Sequence, residues 1–397
     1  MERKRIYLCL AHMSEAGLEQ KYIQEAFDTN WVVPLGPNVN GFEADLEAFV
    51  MNRKRVVALS SCTAALHLAL LQLGVGQDDE VLCQSLSFCA STNPIAYCAA
   101  TPVFIDSEKD TWNMDPVLLE HAILDRFAKT GRNPKAIIVV DLYGMPAKWD
   151  EIEEVGRKYD IPIIEDAANA LGSHYDGKPC GVFGNIGTYS FNGNKIITTS
   201  GGGALICDDE ETKKRTVFLA TQARENAPYY QHEVIGFNYR LSNICAGIGR
   251  GQMTVLDDHI RHHRHLHELY LELLGKVEGI TIQDNPSAKF DSNFWLTTIT
   301  LDPSIHVRGQ ESLHPHYSDC EPNDNVEALR VILDQAGIEA RPLWKPMHKQ
   351  PVYKNAPAYV NGISEALFKV GMCLPSGPYV TDDDVHYIVN CIKEAIL

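Results

Sequence analysis

The chain has 397 residues, of which 45% are hydrophobic and 22% charged, and its formal net charge at pH 7 is −17. This length is typical of two domains, and the acidic balance argues against a general nucleic-acid binder and against binding to an anionic membrane surface. Eleven cysteines without CxxC spacing predict reduced thiols in a cytoplasmic protein. The apolar run after the first residues is too short for a signal peptide. The sequence contains no run of about 18 apolar residues, so we predict no membrane span.

Hydrophobic strand patterns alternate with helical patterns through residues 1–250, which predicts an α/β domain with a mostly parallel sheet and helices on both faces. The clearest strand patterns are 81–83, 102–106, 136–141, 161–164 and 203–207. A long helix at about 246–276 is then predicted to lead into a smaller C-terminal α+β domain. We therefore predict a large domain at 1–250 and a smaller one at 251–397.

The stretch 56–71 reads as a short strand, a small polar turn and an apolar helix. Backbone amides at the start of that helix, with the hydroxyls of Ser61 and Thr63, are typical of a site for a phosphate dianion. Ser190 is a candidate for a further hydroxyl there, and Phe88, after the next strand, is a candidate to lie flat against a ring. Each has a plainer interpretation, since Ser/Thr caps begin many helices that bind nothing and Phe88 alone is more typical of a core aromatic.

A buried parallel strand at 161–164 is followed directly by Glu165 and Asp166. Ligands of open α/β sheets bind at the carboxyl ends of the strands, and a carboxylate there can pair with a protonated pyridine nitrogen. The two acids point to opposite faces of the strand, so only one can face a ring. We predict Asp166, because Ala167 and Ala168 leave room for a flat cofactor. The alternative is an acid that caps the next helix.

Lys195 follows another strand-like approach and precedes a glycine triplet, with no other charged residue between 181 and 206. A lysine in weakly polar surroundings loses basicity and becomes an amine nucleophile suited to Schiff-base chemistry. The alternative is a solvent-directed loop lysine. The neighbouring motifs favour the nucleophile.

Three histidines share one face of the long predicted helix: His259, His263 and His267. This spacing suits metal ligands, but Arg261 and Arg264 oppose cation binding, and no carboxylate or cysteine completes a set. We therefore predict a solvated helix face and no metal site.

The longest predicted loop covers 302–325 and contains His314 and His316. Loops of this length are usually functional or mobile. We predict that both histidines are exposed to solvent; the alternative is that this loop lies near the substrate.

Four motifs together resemble the DegT/StrS family of sugar aminotransferases, which have the fold of type I enzymes dependent on pyridoxal phosphate (PLP). The similarity runs from about residue 18 to the C-terminus, and its motifs are Ser-Cys-Thr-Ala-Ala-Leu at 61–66, Glu-Asp-Ala-Ala at 165–168, Ser-Phe-Asn-Gly-Asn-Lys at 190–195 and Asn-Tyr-Arg-Leu-Ser-Asn at 238–243. The resemblance implies a mostly parallel, seven-stranded sheet flanked by helices, a smaller C-terminal α+β domain, PLP as cofactor and a homodimer.

Carried over by position, the family pattern makes Lys195 the Schiff-base lysine and Asp166 the partner of the pyridine nitrogen. The implied cofactor contacts are Ser61, Cys62, Thr63, Phe88, Asn169, Ser190 and, from the neighbouring subunit, Asn238. The sequence departs from the common pattern at Cys62, where glycine is frequent, at Asn169, where Gln or His is usual, and at Asn192, where His is usual. Asn169 can still bond the cofactor's ring oxygen.

Within the family, four stretches look most like members that aminate C4 of a UDP-linked 4-keto-6-deoxy-N-acetylhexosamine on the route to bacillosamine. These stretches are 192–203, 221–226, 341–348 and 373–377. The resemblance also implies L-glutamate as amino donor. A dTDP- or GDP-linked 4-keto sugar is the alternative, whereas Lys195 argues against a dehydratase relative, which has histidine there, and against an inactive scaffold.

Four cations are candidates for substrate contacts. Arg224 and Arg240 are predicted to bind the diphosphate, since arginine forks match phosphate oxygens. Arg341 and His348 are predicted to bind the donor carboxylate or the sugar. The commoner fate of an arginine is a surface ion pair.

Overall fold

A computed structural model describes residues 4–312, 318 and 320–396 of the chain. Twelve α-helices are present in this described part. They are Leu18–Asp28 (α1), Pro37–Phe49 (α2), Cys62–Gln72 (α3), Asn93–Tyr97 (α4), Pro116–Thr130 (α5), Trp149–Tyr159 (α6), Glu210–Ala220 (α7), Asn243–Met253 (α8), Leu256–Leu274 (α9), Asp324–Gln335 (α10), Ile363–Val370 (α11) and Asp382–Ala395 (α12).

Fifteen strands complete the architecture over the same residues. They are Arg55–Leu59 (β1), Glu80–Gln84 (β2), Thr101–Ile105 (β3), Ala136–Val140 (β4), Ile163–Asp166 (β5), His174–Tyr175 (β6), Lys178–Pro179 (β7), Ile186–Ser190 (β8), Gly203–Cys207 (β9), Ile280–Ile282 (β10), Phe290–Asp291 (β11), Thr297–Leu301 (β12), Arg341–Pro342 (β13), Ala358–Tyr359 (β14) and Gly371–Leu374 (β15). All five strands predicted most clearly from the sequence are present, with ends shifted by at most two residues.

The largest sheet has eight strands in the order β1-β9-β8-β5-β4-β2-β3-β14. Neighbouring strands from β8 to β14 are parallel, whereas β9 is antiparallel to both β8 and β1. The predicted mostly parallel sheet is therefore present, with one strand more than the predicted seven. The additional strand, β14, has only two residues, which pair with Phe104 and Ile105 at the edge of the sheet. A strand this short has no recognisable sequence pattern.

The sheet is buried on both faces because alternate residues of each strand enter different cores. In β1, Val56 and Ala58 enter one hydrophobic cluster and Val57 and Leu59 enter the other. Strands covered on both sides are expected to be continuously apolar, as the β4 sequence Ala-Ile-Ile-Val-Val is.

All strands of this sheet except β9 point the same way, so their carboxyl ends meet at one edge. The start of α3 follows β1 there, the 85–91 segment follows β2, Asp166 ends β5, and the 191–202 loop follows β8. This topology, rather than sequence proximity, brings the predicted site motifs together.

A second sheet has the antiparallel order β10-β12-β15-β13. It packs with α9, α10 and α12 around a separate core, which includes Leu266, Ile299, Leu329, Met372 and Ile388. We propose that this unit is the smaller domain predicted for 251–397.

The long helix predicted at about 246–276 is two helices, α8 and α9. The break lies at Thr254 and Val255, where the Thr254 N–H bonds the Gly251 carbonyl and Val255 has φ −115° and ψ 6°. The prediction of one continuous helix was therefore wrong.

The prediction of a solvated histidine face on α9 was also wrong, because His259, His263 and His267 are buried. Nδ1 of His259 lies 2.9 Å from the Ile196 carbonyl, and the His267 ring stacks on Phe294 with centroids 3.5 Å apart. Burial lowers the pKa of His263 to about 3, so its ring is neutral at physiological pH. His314 and His316, by contrast, lie outside the described residues.

No helix in the described part of the chain combines the length and the apolar composition that crossing a membrane requires.

The turn after β4 yields a stability prediction. Gly144 has φ +99°, and a Cβ there would lie 2.0 Å from Oδ1 of the buried Asn293. Gly144→Ala is expected to lower the free energy of unfolding by about 2–5 kcal/mol, measured by denaturant titration, because backbone strain and overpacking add. Gly177→Ala is the matched control, since Gly177 also has a positive φ, +72°, but no atom within 4 Å of its added Cβ. Equal losses in the two variants would contradict the role of the Asn293 contact.

Candidate active site

A cavity of about 370 Å³ opens at the carboxyl edge of the large sheet. Eight of the predicted catalytic and cofactor residues line it: Ser61, Cys62, Thr63, Phe88, Asp166, Asn169, Ser190 and Lys195. They come from four separate stretches of the chain, so the fold assembles into one site what the sequence shows as isolated motifs.

One end of the cavity is formed by the first turn of α3. Ser61 caps this helix, and its Oγ accepts a hydrogen bond from the Ala64 N–H at 3.0 Å. Backbone N–H groups of a first helical turn have no acceptor within the helix and carry a partial positive charge. With the Thr63 and Ser190 hydroxyls at the same cavity, this end suits a phosphate group.

Asp166 ends β5 with its carboxylate buried at the cavity. Oδ2 accepts a hydrogen bond from Ser91 Oγ at 2.6 Å, and Oδ1 accepts one from the Ala168 N–H at 3.1 Å. Burial raises the pKa of Asp166, while the bond from Ser91 acts in the opposite direction. The Cys62 sulfur lies 3.9 Å from Oδ1. The carboxylate is therefore held in one orientation, as a partner for a buried cationic ring nitrogen must be.

Glu165 points to the opposite face of β5, as the strand geometry predicts. Its two carboxylate oxygens accept hydrogen bonds from the N–H groups of Gly181, at 2.6 Å, and Phe183, at 2.7 Å. Glu165 thereby anchors the turn that precedes β8 and does not line the cavity.

Lys195 lies on the cavity wall, half-buried, in the turn after β8. Its Nζ donates a hydrogen bond to Asn169 Oδ1 at 2.5 Å and lies 3.9 Å from the centre of the Trp295 ring. Desolvation lowers the pKa of the amine to about 8, against a smaller opposing effect of Asp166. An appreciable fraction of the amine is consequently unprotonated near neutral pH, as a nucleophile or proton carrier requires.

Phe88 and Asn192 also line this cavity. Phe88 is 55% exposed, and its ring centroid lies 5.7 Å from that of Trp344. Asn192, which replaces the histidine usual in the family pattern, follows Ser190 in the loop that carries Lys195.

The predicted substrate residues are more dispersed. Arg341 lines the cavity, with its guanidinium also 2.9 Å from Glu339. Arg224 is exposed and lies over the Tyr230 ring at 5.0 Å, outside the cavity lining.

Two of these residues are engaged elsewhere. The Arg240 guanidinium, with a side chain only 10% exposed, pairs with Glu43 and bonds the Ala58 carbonyl. Arg240 is thus engaged in an ion pair, the commoner fate of an arginine, and lies outside the cavity lining, so its contact with a diphosphate stays a prediction. His348 binds Ser85 Oγ at 2.7 Å and Glu365 at 3.1 Å, also outside the cavity lining.

Asn238 lies outside the cavity of its own chain and is exposed. Its backbone pairs with Thr221, and the flanking rings of Phe237 and Tyr239 stack with centroids 5.0 Å apart.

The sequence analysis missed several lining residues, among them Ser91, Asn194, Trp295 and Trp344. Asn194 stands inside the 190–195 motif and Trp344 inside the 341–348 stretch, but nothing local indicates that they contact the site. Trp295 lies 100 residues after Lys195 and reaches the cavity only through tertiary packing.

These residues fit pyridoxal phosphate. Asp166 suits the pyridine nitrogen, the α3 terminus suits the phosphate, Lys195 supplies the amine, and the small side chain of Ala168 leaves space for a flat ring. Fold and site together define a PLP-dependent enzyme of fold type I.

Comparison with known proteins agrees. A model of the DegT/DnrJ/EryC1/StrS aminotransferase family matches residues 14–393, and the chain belongs to this family. EpsN of Bacillus subtilis strain 168, named as a pyridoxal phosphate-dependent aminotransferase, is 48% identical over 98% of this chain and 95% of its own length. GDP-perosamine synthase of Escherichia coli O157:H7 is 33% identical, covering 98% of both chains.

Among solved structures, the PLP form of Spr1654 from Streptococcus pneumoniae, named as a sugar aminotransferase, superimposes with a TM-score of 0.86 at 25% identity, covering 98% of both chains. These findings confirm the predicted family, the fold class and the enzyme class, a PLP-dependent sugar aminotransferase.

Proposed function

We propose that this enzyme transfers the amino group of L-glutamate to the C4 ketone of a nucleotide-linked 4-keto-6-deoxy sugar, with UDP-4-keto-6-deoxy-N-acetylhexosamine as the favoured substrate. The observation that carries transamination is the joint placement of Lys195 and Asp166 at one cavity in a chain of this family. The UDP sugar is supported by the resemblance of residues 192–203, 221–226, 341–348 and 373–377 to bacillosamine-route enzymes.

Pyridoxal phosphate, when bound, supplies an electron sink that stabilises negative charge at the carbon next to the transferred nitrogen. Asp166 would keep the pyridine nitrogen protonated, and Ser91 holds Asp166 in place. The α3 terminus with Ser61, Cys62 and Thr63, together with Ser190, would hold the phosphate. Asn169 would bond the ring oxygen, and Phe88 would cover the ring face.

Lys195 is the residue that moves protons. With its pKa lowered to about 8, Nζ can take the proton from the Cα of the donor amino acid as a base and return a proton as an acid. For the acceptor sugar the same amine works in the reverse order, delivering the proton to C4. Arg341, at the cavity, is the candidate for the donor carboxylate or the sugar.

The active unit in this proposal is a homodimer in which Asn238 reaches the neighbouring subunit's cofactor phosphate. Support comes from exposed apolar side chains in two segments of the chain that the fold leaves uncovered. These are Phe27, Trp31, Val32, Val33, Leu35, Tyr229, Tyr230, Val234 and Ile235, of which Tyr230 is 80% and Ile235 85% exposed. Apolar side chains this exposed are typical of an interface. Arg224 shortly precedes the second of these segments, and we propose that it faces the active site of the neighbouring subunit.

A GDP-linked 4-keto sugar is the second candidate. It is favoured by the 33% identity with GDP-perosamine synthase over nearly the full length of both chains. Cytoplasmic location is part of the proposal as well, supported by the reduced thiols that eleven cysteines without CxxC spacing predict.

The role of Lys195 leads to the first test of this function. Lys195→Ala is expected to retain cofactor noncovalently but to lower turnover by at least about 10²–10⁴-fold, since the proton carrier is removed. Turnover with glutamate and 4-keto sugar is measured by mass spectrometry of the product, and bound cofactor by absorbance after dialysis. Lys178→Ala is the control, because Lys178 is exposed on β7 and lies outside the cavity lining. Near-normal turnover of the Lys195 variant would refute the assignment.

If each active site contains residues of both subunits, two inactive variants should restore activity when their chains are mixed. Chains carrying Lys195→Ala and chains carrying Asn238→Asp, mixed and reassociated at equal amounts, should recover about a quarter of wild-type activity, since half of the dimers are hybrids with one intact site each. Each variant reassociated with itself is the control. Inactive mixtures in which native mass spectrometry detects hybrid dimers would count against a shared site.

The nucleotide is tested by a panel of UDP-, dTDP- and GDP-linked 4-keto-6-deoxy sugars, each offered with L-glutamate. We expect the highest kcat/KM for the UDP-linked N-acetylhexosamine, with the aminated carbon located by NMR. A preference for the GDP sugar would select the second candidate and leave the aminotransferase assignment intact.

A further inference from the structure

The segment 293–295, between β11 and β12, is fastened to the cavity by a fully buried asparagine. Nδ2 of Asn293 donates to the carbonyls of Asn169 and Leu171, both at 2.9 Å. Its Oδ1 accepts the N–H of Trp295 at 2.8 Å. One side chain therefore joins the backbone that carries Asn169 to the backbone that carries Trp295.

Trp295 in turn contacts two consecutive residues of the loop after β8. Its Nε1–H donates to the Asn194 carbonyl at 2.6 Å, and Nζ of Lys195 lies 3.9 Å from the ring centre. The residue is only 3% exposed, and the rings of Tyr143 and Trp344 lie beside it, with centroids 6.5 and 6.3 Å away. The indole is thus held rigidly while its face meets the lysine amine.

The amine of Lys195 has few other partners. Asn169 Oδ1 is its hydrogen-bond acceptor, and the titratable groups that act on it are Asp166, Cys62 and Cys9. Of these, only Asp166 is a carboxyl group; burial raises the pKa of both thiols, which therefore stay neutral. The indole face, rich in π-electron density, is the remaining group that can stabilise the ammonium form.

We propose that Trp295 is a positioning residue for Lys195, whose indole N–H fixes the loop at Asn194 while its face holds the ammonium group next to Asn169. The inference rests on the proposed role of Lys195 as the proton carrier. A lysine has four rotatable side-chain bonds, and its amine must return to one place between successive proton transfers. Trp295 holds the amine at that place, although its segment lies between β11 and β12 and is not part of the large sheet or of the loops that follow its strands.

The test measures the Lys195 amine itself and not only the catalysed reaction. Full-length protein is stripped of cofactor with hydroxylamine and trace-labelled with acetic anhydride between pH 6 and 11, and labelling of the Lys195 peptide is quantified by mass spectrometry. Wild-type protein is expected to give a midpoint near pH 8. Trp295→Leu removes the stabilising face in a site that stays desolvated, so its midpoint should fall by roughly 0.4–1.5 pH units.

Two further variants separate positioning from general packing. Trp295→Phe keeps an aromatic face but loses the N–H donor, so its midpoint and its kcat should fall less than those of Trp295→Leu. Phe294→Leu is the matched control, since the Phe294 ring packs on His267. It should lower the melting temperature while leaving the Lys195 midpoint unchanged.

An unchanged or higher midpoint in Trp295→Leu would overturn the proposal, because the ring would then only exclude water. Should Trp295→Leu fail to fold, Trp295→Phe alone decides: a wild-type midpoint together with wild-type kcat would refute positioning. The role of Lys195 is tested separately. If Lys195→Ala retained turnover, that role would fail while the labelling midpoints would still report whether Trp295 holds the amine.

Discussion

The desolvation of one amine beside one buried carboxylate is the constraint on which this structure depends. Lys195 loses basicity because the cavity wall removes water from it, and the ionised form of Asp166 is favoured there by Ser91, the Ala168 N–H and the nearby Lys195. Neither group would be tolerated at this edge of the sheet without the polar contacts that surround it. Burying these two groups therefore lowers the folding stability of the protein, and the same burial maintains their reactivity.

The large sheet meets this constraint by its topology. Seven of its eight strands run in one direction, so helix starts and strand ends converge at a single edge, and the antiparallel β9 packs closely against the start of α3. A Cβ at Gly203 would lie 2.2 Å from the Cys62 nitrogen, which shows how tightly β9 approaches the proposed phosphate end. Backbone packing thereby positions the amide groups before any ligand contact is made.

Charge in this acidic protein is arranged locally. The net charge of −17 provides no general attraction for a nucleotide sugar, so any anion must be held by individual donors. Arg240 illustrates the difficulty of assigning such donors from sequence. It stands in a family motif, yet its guanidinium is used to hold Glu43, whose carboxylate also accepts the Ala58 N–H at 2.8 Å. Arg240 thus supports the framework beside β1 in this structure, and its contact with a diphosphate stays a prediction.

The sequence by itself determined the α/β class, the main strands, the family, the cofactor and the convergence of Lys195 and Asp166 at one site. The class, the strands and the shared site follow from local patterns: apolar strands with polar ends, a helix start rich in hydroxyls, and a lysine without charged neighbours. The family is what the resemblance of four motifs implies, and the cofactor agrees with both. Only the tertiary structure decided the contacts that depend on long-range packing. His259 of α9 is buried against the loop that carries Lys195, and His267 is buried against Phe294. The two residues of β14 pair with the edge of the sheet, and Trp295 reaches Lys195 because Asn293 ties its segment to Asn169. Such contacts join residues from different elements, 63 positions apart for His259 and Ile196 and 124 for Asn293 and Asn169, and no periodicity or spacing within the sequence encodes which of them will meet.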